Sequence, residues 1–240
     1  MGLLALILPG LATAAGPGVK LDKADIDVTN TASLQRGAKY FVNYCMGCHS
    51  LKHARYSRLA SDLGLNEAQV RDNLIFTRTE DGDKTAIGAL MANAMRVKDG
   101  KEWFGTTPPD LTLVARARGE DWIYTFLRGF YLDPSRPFGV NNTAFDNVGM
   151  PHVLWELQGW QRLAEHGDSH TAPVFEQAES GRMTPAEYDQ VVRDLVSFLS
   201  YVGEPRQTER KVIGFWVMLF LVVLFVVTYL LKKEYWRDVH

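Results

Sequence analysis

Cys45-Met46-Gly47-Cys48-His49 holds the only two cysteines of the 240-residue chain, and no other stretch constrains the fold as strongly. Cys-x-x-Cys-His is the attachment sequence for a c-type haem. Residues three apart share one face of a helical turn, so both sulfurs can meet the two vinyl groups of one porphyrin. The next residue, His49, can then turn its imidazole toward the iron as the proximal ligand. A chain built on this motif must also supply a sixth iron ligand or leave that position open.

Three other uses of the motif fit less well. A thioredoxin-like dithiol wants a βαβ context, and Val/Ile alternation is missing from residues 33–51. A zinc site needs about four ligands, and the chain has no second cysteine pair. A disulfide across two intervening residues would cross-link almost no chain entropy. Covalent haem is therefore the reading of the pentapeptide.

Two apolar segments concern membranes. Leu3–Ala15, LLALILPGLATAA, ends in small residues of the Ala-x-Ala kind, so residues 1–15 read as a signal peptide or its remnant. A buried N-terminal helix is the competing reading, weakened by Pro9-Gly10. Ile213–Leu231 is nineteen residues without a charge. As a helix it spans about 28 Å, the thickness of a bilayer's hydrocarbon core. Trp216 and Tyr229 lie near its ends and Lys232-Lys233 follow directly, as at membrane interfaces. The anchor is expected over 207–231 with its core at 213–231. Because c-type haem is attached on the outer face of the bacterial membrane, residues 33–206 are expected in the periplasm and 232–240 in the cytoplasm.

Charge adds a smaller constraint. The net charge of −2 argues against a nucleic-acid partner, which would call for a basic stripe. Six basic and four acidic residues lie in 204–240, leaving 20 basic and 24 acidic groups before it. The soluble portion is thus mildly acidic, which suits a basic partner.

Along the chain, 16–32 is a polar lead-in. Ser33 is the expected N-cap of a first helix, whose Leu34, Ala38, Phe41 and Tyr44 or Cys45 form an apolar stripe ending at the motif. Asn66 is expected to cap a second helix. Ala86–Met95 reads as a short helix or loop, and Gly100–Asp110 as an irregular loop. Leu111–Ala117 and Glu120–Gly129 read as helices. Phe130–Pro151, rich in Pro, Gly and Asn, reads as a long loop of the functional kind. Thr184-Pro185-Ala186-Glu187 opens a clean helix running to about Val202.

The sixth ligand decides the chemistry. Methionine raises the potential and closes the iron for electron transfer, whereas an open position suits a peroxidase or gas sensor. Met1 and Met218 lie in apolar segments, Met46 is confined within the motif, and Met91, Met95 and Met183 sit in or beside helical patterns where methionine is usually core filler. Met150, in Gly149-Met150-Pro151 at the end of the long loop, is the best candidate. His152 is its rival; His53, His166, His170 and His240 read as surface residues, with His53 a weaker rival through its nearness to His49. The propionates also need partners, and Arg116 and Arg118 follow the Pro108-Pro109 turn.

Four stretches carry a resemblance: RGAKYFVNYCMGCHS (36–50), PPDLTLVARARGEDWIYTFLRGFYLDP (108–134), NVGMPHVLWELQG (147–159) and YDQVVRDLVSFLSYVGEP (188–205) followed by the anchor. In this order they resemble the cytochrome c1 family, the haem subunit of bacterial ubiquinol–cytochrome c reductase. The resemblance implies a mainly α fold: a class I cytochrome c-like haem domain with long loops and one C-terminal transmembrane helix. It implies one covalent haem c on Cys45 and Cys48 with His49 and Met150 as axial ligands. It further implies Arg118 at a propionate, and Pro109 and Trp122 at the haem edge. The implied role is non-catalytic electron transfer from the Rieske iron–sulfur protein to a c-type cytochrome, beside cytochrome b in a dimeric complex of the inner membrane. A stand-alone anchored cytochrome and a haem enzyme with a displaceable ligand are the alternatives.

Overall fold

In the computed structural model, which describes residues 20–164 and 173–239, helix α1 (Thr31–Tyr40) packs against the distant helix α8 (Pro185–Gly203). Gly37 sets how close they come. A Cβ there would collide with the main-chain carbonyl of Asp194 and with Cβ of Phe198, a spacing only glycine permits. Phe41, just past α1, packs on Phe198 with ring centroids 5.7 Å apart. Leu34, Ala38, Val191, Leu195 and Leu199 belong to the same buried cluster.

Asp194 is buried in this seam but well supplied with donors. It accepts from Ser33 Oγ (2.6 Å), Arg36 Nε (2.6 Å) and Gln190 Nε2 (3.0 Å). This corrects the expected cap. Asn30 caps α1, accepting the Ser33 N–H at 3.1 Å, while Ser33 lies inside the helix with its hydroxyl on Asp194. Both residues can cap, and the buried carboxylate claims the serine. At α8 the sequence pattern holds: Glu187 Oε2 accepts from Thr184 N at 2.8 Å and Thr184 Oγ1 accepts from Glu187 N at 3.3 Å, a reciprocal capping box.

Between these helices lie α2 (Tyr56–Asp62), α3 (Glu67–Asn73), α4 (Val97–Phe104), α5 (Val114–Arg118), α6 (Glu120–Arg128) and α7 (Trp155–Gln158). Asn66 caps α3 in a box with Gln69, as the sequence predicts. Three small antiparallel sheets join them: β1 (Leu51–Arg55) with β2 (Leu90–Met91), β3 (Phe130–Leu132) with β4 (Val140–Asn142), and β5 (Gly159–Leu163) with β6 (Phe175–Ser180). None of the strands is foreseen from sequence. They are short, and runs such as Gly159-Trp160-Gln161-Arg162-Leu163 lack a clean period of two.

Two loops are corrected. The first half of Gly100–Asp110 belongs to α4, which ends at a left-handed Gly105 (φ 74°). The long segment 130–151 contains the β3–β4 hairpin and is pinned by buried asparagines. Asn142 Nδ2 donates to Phe126 O (2.7 Å), Asn141 Nδ2 to Asp146 (3.0 Å), and the Asn147 N–H to Asn141 Oδ1 (3.0 Å). Within the polar lead-in, Ala24 is buried, and the Asp22 and Ala24 N–H groups bond Thr125 Oγ1 and Asp121 Oδ1, both at 2.9 Å.

The chain divides into two units, one ending at Gly203 and one beginning at Glu204. The second is dominated by α9 (Gln207–Tyr235), 29 residues with none buried. It runs about 44 Å, longer than the expected 207–231. Thr228 returns its hydroxyl to Leu224 O at 2.9 Å, so the polar residue in the apolar run satisfies itself. A helix apolar on every face is one built for lipid. The signal-peptide expectation over 1–15 and the residues His166, His170 and His240 lie outside the described residues.

Candidate haem site

Helix α1 passes into a π-helical turn, Phe41–Cys45, in which the Met46 N–H reaches back to Phe41 O at 2.9 Å. Such turns are frequent at functional sites. The N–H groups of Cys48 and His49 both bond Cys45 O, at 3.1 and 2.9 Å, so the motif closes as one tight turn. Met46 is buried, its sulfur accepting the Tyr56 hydroxyl at 3.4 Å. Both cysteines are free and half-buried. Burial, with Cys48 adjacent, pushes the Cys45 thiol up to about 12, and burial raises Cys48 as well.

His49 Nδ1 lies 2.8 Å from Pro109 O. A carbonyl can only accept, so Nδ1 carries the proton and Nε2 keeps its lone pair. Burial lowers the pKa of the imidazole against the opposing pull of Pro109 and Asp110. The Pro109 carbonyl is itself held in place. Asp110 accepts from the N–H groups of Lys52 (2.8 Å) and Thr112 (3.0 Å), and the Leu111 N–H bonds Ser50 O (2.9 Å). Asn93 Nδ2 donates to Cys48 O at 2.5 Å, and the Asn93 N–H bonds Ser50 Oγ at 2.9 Å. Asn93 and Asp110 escape sequence reasoning because each acts on backbone more than forty residues away. No local pattern records that.

Met150 is half-buried against Phe130, Val140 and Val148, in a cluster that Phe126 and Trp160 flank. Helix α4 touches both sides of the site. A Cβ on Gly100 would meet Pro108 Cδ at 3.0 Å, and one on Gly149 would lie 3.5 Å from Phe104 O. The element read as loop thus abuts the turn that holds His49 and the residue before Met150. Trp122 stacks on Phe126 (5.0 Å, 14°) and meets Phe145 edge-on (6.5 Å). The exposed Arg118 guanidinium lies 5.1 Å over the Trp122 ring and makes no ion pair among the described residues. Pro109 is exposed. His152, two residues beyond Met150, is only 4% exposed and stacks on Phe130.

These donors fit an iron porphyrin: two unbridged thiols on one turn, an imidazole with its tautomer set by a carbonyl, and a half-buried thioether beside an aromatic wall. Fold and site together define a membrane-anchored c-type haem protein. The Cytochrome C1 family model matches residues 23–239, and the chain belongs to that family. It is 52% identical to cytochrome c1 of Allochromatium vinosum, over 98% of this chain and 96% of that one. It is 50% identical to a protein of Nitrosomonas europaea described as ammonia monooxygenase gamma subunit, over 99% and 97%. It is also 26% identical to cytochrome b/c1 of Bradyrhizobium diazoefficiens, over 94% of this chain and 35% of that longer one. The chain therefore carries one covalently bound haem c and is a membrane-anchored electron-transfer subunit of a cytochrome bc1 complex, partnered with cytochrome b.

Proposed function

We propose that Cys45 and Cys48 hold the haem through two thioethers, that His49 and Met150 are its axial ligands, and that the subunit passes single electrons from the Rieske iron–sulfur protein to a c-type cytochrome. The observation that carries this reading is the 2.8 Å contact of His49 Nδ1 with Pro109 O, which leaves Nε2 as the ligating nitrogen. When bound, the haem supplies a one-electron iron couple. The chain's residues do the rest. Pro109 O would orient the His49 imidazole toward the iron, Met150 would hold the iron as its second protein ligand and keep exogenous ligands out, and the stacked Trp122–Phe126 pair would give the haem an apolar edge. Arg118, with its N–H groups unpaired among the described residues, is placed to donate to a propionate.

The domain arrangement proposed with it is a signal peptide over 1–15, a lead-in over 16–32, a periplasmic haem domain over 33–206, an anchor over 207–231 and a cytoplasmic tail over 232–240, within a dimeric complex of the inner membrane. The subunit makes and breaks no bonds of its own. The 50% identity to the Nitrosomonas europaea protein favours a second reading, in which the chain serves a different oxidoreductase assembly. Purification in mild detergent separates the two: co-elution with a b-type cytochrome and a Rieske protein is expected, and co-elution with a monooxygenase supports the second reading. An optical spectrum of the oxidised protein should show the weak near-infrared sulfur-to-iron band of methionine ligation, and the reduced protein should not bind carbon monoxide. Ready carbon monoxide binding would overturn the closed Met/His assignment.

A further inference from the structure

His152 is an anomaly that electron transfer does not use. It is a histidine at 4% exposure, with no carboxylate against it and a ring nitrogen, Nε2, that has no hydrogen-bond partner among the described residues. A buried, incompletely paired imidazole costs stability, so its place needs a reason. Its ring lies parallel to Phe130, centroids 4.9 Å apart at 8°, and edge-on to Trp160 at 5.8 Å. Trp160 in turn stacks on Trp155 (5.6 Å, 11°), and Phe130 meets Phe126 edge-on (5.2 Å). His152 is thus one of the two middle rings of a six-ring aromatic row from Trp155 to Trp122. Phe130 is also in the small buried cluster against which Met150, Phe126 and Trp160 all pack.

We infer that His152 is a positioning residue for Met150: its ring, wedged between Phe130 and Trp160, fixes the chain immediately after the thioether and holds the sulfur on the iron. The geometry explains why the ring is flat and aromatic. Pro151 between the two residues restricts φ, so anchoring the ring at 152 limits the directions in which residue 150 can project. This inference rests on Met150 being the sixth ligand, and its test separates the two.

Full-length, haem-loaded protein in membranes is compared as wild type, His152→Phe, His152→Ala, Trp160→Leu and Met150→Leu, each normalised to covalent haem. His152→Phe keeps the stack and should retain the sulfur-to-iron band and the exclusion of carbon monoxide. His152→Ala should lose the band or show it only at low temperature, bind carbon monoxide when reduced, and have a lowered midpoint potential. If His152→Ala fails to mature, Trp160→Leu removes the ring's other neighbour and should weaken the band in the same way. A band and potential unchanged in both His152→Ala and Trp160→Leu overturn the inference while leaving Met150 as ligand. A wild-type spectrum without the band, unchanged in Met150→Leu, overturns both. Loss of low-spin haem in His152→Phe would make His152 itself the ligand and also overturn it.

Discussion

At the scale of single residues, most polar side chains buried in this protein answer to a named partner, and their ionisation follows from it. The half-buried Asp189 shows the same dependence. Burial raises its pKa, but hydrogen bonds from Tyr124 and Arg193 and the charges of Arg128 and Arg193 outweigh that and hold it below the ordinary 3.8. A depressed carboxylate contributes stability above its unfolded pKa and loses it as pH falls through the folded value. Asp189→Asn should therefore destabilise the haem domain at neutral pH and flatten the loss of stability below about pH 4, read by denaturant titration at several pH values. Equal acid sensitivity in variant and wild type would remove Asp189 from this account. Ser33 makes the same lesson visible from the sequence side. Its type and place suited a cap, yet a buried carboxylate 161 positions away took its hydroxyl.

At the scale of elements, the α1–α8 crossing organises the haem motif, since α1 runs directly into the π turn that carries Cys45. The crossing tolerates no Cβ at Gly37. Gly37→Ala should cost roughly 3 kcal/mol, the upper end for overpacking, because the obstacle is backbone and a Cβ rather than a mobile chain end. Gly88→Ala, where a Cβ meets nothing within 4 Å, should stay within about 0.5 kcal/mol. Thermal unfolding of the two haem-loaded variants makes the comparison, and similar midpoints would refute the packing argument. The capped helices α3 and α8 and the strongly periodic α6 were legible in the sequence. Helix α4 and the six strands among the described residues were not. Their residues are polar or mixed, and what selects their conformation is contact with other elements: β1 with β2 across some forty residues, and α4 with Pro108 and Phe104 with Gly149.

At the scale of the whole molecule, the chain is two units with different solvents. The first has a buried core of its own; the second is a helix with no buried residue. Truncation after Gly203 should therefore release a water-soluble domain with an unaltered haem spectrum, while the full chain stays with the membrane under alkaline extraction. A truncated domain that aggregates or loses its spectrum would mean that the anchor contributes to the fold. The covalent haem and the membrane helix were determined by the sequence alone, because each is written in contiguous residues: five for the motif, nineteen for the apolar run. Met150, the proposed sixth ligand, could be ranked first among the methionines, with His152 left as its rival. Tertiary structure alone decided what surrounds them. It brought Pro109 O to His49 Nδ1, Asn93 to Cys48 O, α4 against both sides of the site, and the ring of His152 between Phe130 and Trp160. The physical reason is range: covalent motifs and lipid burial are properties of local sequence, whereas a hydrogen bond or ring stack closes only after distant segments have been packed together.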